Sequence, residues 1–214
     1  MKTNYEYRAA ARETLKGQWS EVVLMSIILF GVAILFGTPQ SVISDGIMTG
    51  IFGSVYFVAL ILLVAPLEYA FFNVLLLMIR ERLDAQTHVG AMWGVFKTDF
   101  SRSVPAILLS SIIIVLISIP TLFIGGIILG YAYKMVPLLI HDYPELSTRE
   151  VLRTSREMMR GHKWELFLLE LSFLGWVLLS ILTLGIGLLW LTPYIYAAEA
   201  HFYEDLKAET IVEE

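Results

Sequence analysis

The stretch STREVLRTSREMMRGHKWELFLLELSFLGWVLLSILTLGIGLLWLTPYIY, residues 147–196, decides the fold. Its first part carries Arg149, Arg153, Arg156, Arg160 and Lys163 at spacings of four, three, four and three. On a helix these cations share one face, and Val151, Leu152, Met158 and Met159 occupy another. Ser147-Thr148-Arg149-Glu150 is a capping-box pattern that starts this helix. The chain then runs without a break into two apolar segments, Trp164 to Ile181 and Gly185 to Phe202. A basic helix feeding an apolar hairpin suits an anionic membrane surface, so its five cations are expected on lipid headgroups.

Composition extends that reading to the whole chain. Of 214 residues, 57% are hydrophobic and 16% charged, and mean hydropathy is +0.71, a balance that excludes an ordinary soluble domain. Four more apolar runs approach the roughly 20 residues needed to cross a hydrocarbon core. They are Val22 to Phe36, Gly46 to Ile79, Val104 to Ile119 and Leu122 to Ile140. The expectation is an all-α, polytopic membrane helical bundle with about six transmembrane helices. Gly37 and Pro39 stop the first run, and Pro66 should kink or break the second. The third and fourth part at a turn around Pro120 or at Gly125 and Gly126.

Lys2 to Gln18 reads as a second interfacial helix, with Tyr7, Ala11 and Leu15 on one face and Arg8, Arg12 and Lys16 on another. So long a charged leader with no A-x-A site after the first apolar run argues for a crossing there and against a signal peptide. Residues 1–214 form one membrane domain: an interfacial helix at 1–21, four crossings in 22–140, the basic helix at 147–163 and the last hairpin at 164–203. Residues 204–214 read as a short acidic tail expected to fray.

The cations fix an expected orientation. Of 15 Lys and Arg, four precede the first crossing, four lie in Arg80 to Arg102, five in Arg149 to Lys163 and one in the tail. Lys134 alone falls inside a crossing. The intervening turns carry none, so the positive-inside rule puts both termini in the cytoplasm of a cell-membrane protein. The absence of cysteine excludes disulfides and thiolate metal sites.

Arg12-Glu13-Thr14-Leu15-Lys16-Gly17-Gln18-Trp19 parallels Arg156-Glu157-Met158-Met159-Arg160-Gly161-His162-Lys163-Trp164 with one added residue. Gly90 to Val104, with Trp93 and Phe96, is a weaker third copy. Duplication of a unit, or a general preference of membrane boundaries for cations and Trp, accounts for the pattern. The blocks SREMMRGHKWELFLLELSFLGW and TLGIGLLWLTPY, with Phe202-Tyr203 and more loosely LKGQW and Ala65-Pro66-Leu67, resemble the bacterial integral membrane proteins of domain-of-unknown-function family 975. The resemblance spans most of the chain. It implies a multi-pass membrane fold and carries no catalytic residues.

Ionisable groups inside a crossing are costly and are therefore candidates for function. Glu68 lies twelve residues before Arg80, about 18 Å along a continuous helix. Lys134 and Glu170 each sit about 10 Å from the same face, where they pair, or where Lys134 snorkels and Glu170 is wetted. His88, His141, His162 and His201 fall at or beyond the inner boundary without the four-residue spacing of a helical metal site, so no metal and no cofactor is expected. Gly46-x-x-x-Gly50 and Gly126-x-x-x-Gly130 read as close-packing positions, Trp19, Trp164 and Tyr203 as inner-belt anchors, and Trp190 as an outer one.

No nucleophile elbow, H-E-x-x-H, Walker motif or clustered carboxylate pair is present, so a non-enzymatic role is expected. Nucleic-acid binding is not expected, because lipid phosphates better explain cations fused to an apolar run. The leading expectation is a membrane protein that organises or senses anionic lipid, or engages a membrane protein partner or a second copy. A small permease or channel using Glu68, Lys134 and Glu170 is the alternative, and a lipid-modifying enzyme the least supported.

Overall fold

The computed structural model describes residues 1–37, 64, 66–80, 90, 100–118, 120–121 and 124–212. The described residues are helical without strands. In chain order they form α1 (Asn4–Leu15), α2 (Trp19–Gly37), α3 (Pro66–Ile79), α4 (Phe100–Ser118), α5 (Ile124–Ala132), α6 (Val136–Asp142), α7 (Thr148–Met158), α8 (Lys163–Leu171), α9 (Leu174–Leu182) and α10 (Leu188–Val212). The expectations placed on Gly46, Gly50, His88, Trp93 and Phe96 lie outside the described residues.

Three helical stretches are long and apolar enough to cross a membrane: α4, Ile124–Asp142 (α5 with α6) and Lys163–Leu182 (α8 with α9). A fourth is obtained if α1 and the start of α2, bent by 100°, count as one, both counts being of the described residues. These stretches leave large apolar side chains outward. Val115, Leu116, Ile124, Ile127, Leu178 and Ile181 are all exposed, hydrocarbon surface that water would penalise. The core lies around α3, which is apolar nearly all round, as suits a helix enclosed by others. Leu67, Tyr69, Phe71, Phe72, Leu75 and Leu76 are all buried there. From Pro66 to Ile79 the described helix is continuous, so Glu68 and the Arg80 end lie on one element.

The two lead-in helices repeat each other in detail. Thr3 caps α1 through a capping box with Glu6, and Ser147 caps α7 through the same box with Glu150. At the same offset Tyr7, Ala11 and Leu15 match Val151, Ser155 and Met159, all six buried. Gly17 and Gly161 match too, at φ 82° and 95°. That left-handed residue turns the chain from a capped helix into the next apolar helix.

These buried faces correct the expectation that α1 and α7 lay their apolar sides in lipid. α1 packs on α10, and α7 packs on α4 and α6. Within the protein those faces meet denser partners than headgroups supply, so only the cationic sides remain outward. A second correction concerns the tail. α10 runs on to Val212 because its acids are held: Glu204 by Arg80, Asp205 by Lys2 and Glu209 by the Met1 amine. Tyr203 is a third correction. It is fully buried and donates to Asp142 at 2.9 Å, so it is no interfacial anchor. Trp164 and Trp190 are exposed and Trp19 is partly buried.

The fourth apolar run is interrupted between α5 and α6. Pro137 has no N–H to offer, and the Tyr133 carbonyl accepts instead from Val136 N–H at 3.1 Å, tightening the turn around Lys134. Gly126 allows α5 to lie against the end of α4, where an added Cβ would fall 2.8 Å from Ser118 Cβ. Gly130 faces open space, so it is not the close-packing position its spacing suggested.

Candidate functional site

The break between α5 and α6 presents Lys134 to two acidic helices. Its Nζ lies 3.1 Å from Glu170 Oε1 on α8 and 3.0 Å from Glu199 Oε1 on α10. The pairing alternative for Lys134 and Glu170 is the one the contact supports. Tyr131 donates its hydroxyl to Glu170 Oε2 at 2.6 Å, which fixes that carboxylate. The Glu199 side chain is 2% exposed, and its Oε2 has no hydrogen-bond partner among the described residues. One ammonium thus serves two carboxyl groups.

Glu68 joins from the other side. It lies beside Tyr196, whose ring stacks on Phe72 at 4.2 Å between centroids. Glu68 and Lys134 line one cavity of about 160 Å³ with Ser110 and Tyr133. Glu68 also lines a second cavity of about 270 Å³ beside Phe30, Thr192 and Tyr196. The three ionisable residues picked from the sequence thus belong to one neighbourhood, and Glu170 reaches it only through Lys134.

Glu199 was not among the expected site residues. It lies in the run Gly185 to Phe202, three positions before its end, where an acid reads as interfacial. The signal for it was present, since it meets the criterion of an ionisable group inside an apolar run that selected Glu68 and Glu170. Tyr131 and Tyr196 carry no such signal, because a tyrosine in a crossing reads as packing.

The basic helix makes a second feature. Arg153, Arg156, Arg160 and Lys163 surround a cleft of about 580 Å³ in which Glu157 is the one acidic residue among the described lining residues. Arg153 Nε bonds Glu157 Oε1 at 2.8 Å, and the charge of Arg153 is further stabilised by that bond. Arg149 is exposed on the same helix but does not line the cleft.

The histidines do not converge. His162 approaches Glu165 at 3.0 Å, and His201 shares a 2.8 Å hydrogen bond with Thr14. Among the described residues no group of three or more His, Asp or Glu is arranged to hold a metal ion.

No curated protein and no solved structure matches the chain. The family model described as "protein of unknown function (DUF975)" matches residues 101–210, which span α4 to most of α10 and hold the Lys134–Glu170–Glu199 triad and the basic cleft. By that match over half its length, the chain belongs to the DUF975 family.

Proposed function

We propose that this is a non-enzymatic, multi-pass protein of the cytoplasmic membrane, with both termini in the cytoplasm, that recruits or senses anionic lipid through α7 and the start of α8. The observation that carries the reading is the cleft of Arg153, Arg156, Arg160 and Lys163 with its single acid. The apolar side of α7 is occupied by the bundle, so α7 engages headgroups by charge alone and does not insert. Each cation near an anionic surface contributes about 1 kcal/mol, falling off within a Debye length. The test is the full chain in nanodiscs with spin-labelled phosphatidylglycerol or phosphatidylcholine. The Arg153→Gln, Arg156→Gln, Arg160→Gln triple variant should lose at least about tenfold of the preference for the anionic lipid. An unchanged preference removes the reading.

A small permease is the second reading, favoured by the cavity that Glu68 and Lys134 share and by the triad beside it. An ion or proton entering that cavity would meet a cluster of ionisable groups flanked by a broken helix. Liposome flux of small cations or protons that Glu68→Gln and Lys134→Met leave unchanged would dismiss it.

A further inference from the structure

A groove outside both features joins α1 to the last hairpin. Its volume is about 450 Å³, within the range of small-molecule sites. Trp176 and Leu179 of α9 form one wall, and Trp190 and Tyr194 of α10 the other. Arg8 and Arg12 of α1 line it too, and no acidic residue does so among the described residues. The two arginines are one helical turn apart, a like-charge pair that is unfavourable without an anion.

The groove is held in shape. Tyr7, Ala11 and Leu15, on the adjacent face of α1, pin it to the bundle. Arg8 Nη1 donates to the Ser172 carbonyl at 3.0 Å, and its guanidinium lies 6.0 Å from the Phe173 ring centroid. That leaves further N–H groups of Arg8 for a ligand, pre-aimed at little entropic cost. Arg8 is not demanded by the lead-in element itself, because its counterpart in the second copy is Leu152, a buried apolar residue.

From these features we propose that the groove holds one anionic phospholipid, its phosphate on Arg8 and Arg12 and an acyl chain between Trp176, Leu179 and Trp190. Two cations at the mouth of an aromatic and aliphatic channel match an amphiphile with a charged head. A free phosphate would leave the apolar walls unused. The inference rests on the membrane setting proposed above, and not on the basic cleft of α7.

Native mass spectrometry of the full chain, extracted in mild detergent from vesicles of equal phosphatidylglycerol and phosphatidylcholine, tests it. Wild type should retain one anionic phospholipid per chain. Arg12→Gln, which changes an exposed residue, should lower that retention about tenfold, as for loss of a charge-assisted bond. Leu179→Trp, which fills the channel and leaves both arginines, should lower it as well. The Arg153→Gln, Arg156→Gln, Arg160→Gln variant should retain the lipid. Equal retention of the zwitterionic lipid overturns the proposal, as does unchanged retention in both groove variants. Loss in the α7 triple variant alone would place the retained lipid at the basic cleft and overturn the groove, while leaving the α7 reading intact.

Discussion

Arg80 grips Asp142 with both terminal nitrogens, Nη1 to Oδ1 at 2.5 Å and Nη2 to Oδ2 at 2.6 Å, and so ties the end of α3 to the end of α6. Arg80 Nε also reaches Glu204 on α10 at 2.7 Å, and Asp142 Oδ2 accepts from Tyr203 and Lys207. Three helices that are far apart in sequence thus meet on one bidentate pair. The bonds to Asp142 raise the Arg80 pKa above its ordinary value, so its charge is permanent.

The Asp142 side chain is 3% exposed, so Asp142→Asn leaves Arg80 and Lys207 facing a neutral amide. Removing one partner of a buried pair is expected to destabilise by about 3–5 kcal/mol. Lys207 is more exposed, and Lys207→Met should do much less. Thermal unfolding of the detergent-solubilised protein checks the order. Equal losses for the two variants would show that Asp142 is not the hub.

Lys134 offers a double-mutant test. Lys134→Met strands the Glu170 and Glu199 carboxylates and should destabilise by about 3–5 kcal/mol. Adding Glu199→Gln removes the better-buried stranded charge, so the double variant should be more stable than Lys134→Met alone. Strict additivity of the two changes would mean that the ion pair contributes no coupling.

Much of this arrangement is legible in the sequence, and what is not has a physical reason. Capping boxes, the 3.6-residue period and mean hydropathy are local signals, and they locate α1, α7 and the Lys163–Leu182 stretch closely. Residue counting leaves pairing of Lys134 with Glu170 as one of two alternatives, and only the tertiary contact distinguishes it. The helical course of Glu204 to Val212 does not follow, because it depends on cations near the other end of the chain, at Met1 and Lys2, and on Arg80. Whether an apolar helical face meets lipid or protein is likewise a tertiary fact. The periodicity of α1 and α7 is the same either way, and only packing on α10, α4 and α6 decides it.

The orientation can be read chemically, since the chain has no cysteine of its own. If cations mark the inner side, Ile186→Cys in the turn before α10 should react with a membrane-impermeant maleimide on intact cells. Glu145→Cys, in the exposed turn before α7, should react only after permeabilisation. The reverse pattern would invert the proposed topology, and labelling of both from outside would mean that this span does not cross.

The paired lead-in elements make the last prediction. A Cβ at Gly17 or Gly161 would meet nothing within 4 Å, so Gly17→Ala and Gly161→Ala change no packing. Only the positive φ opposes them, and each should destabilise by about 1–2 kcal/mol. Asn, which tolerates that region, should recover part of the loss at both positions. The caps add a pH signature. Hydrogen bonds from Thr3 and Ser147 hold the Glu6 and Glu150 carboxyls below their ordinary value of 4.5. A lowered folded-state value means stabilisation that is complete above 4.5 and lost as pH falls below it. Ser147→Ala should remove about 1 kcal/mol at neutral pH and flatten that acid dependence for α7. Hydrogen exchange at the amides of α1 and α7 reads both effects. If the two glycines, or the two caps, respond unequally, the elements are alike in outline but not in how they are held.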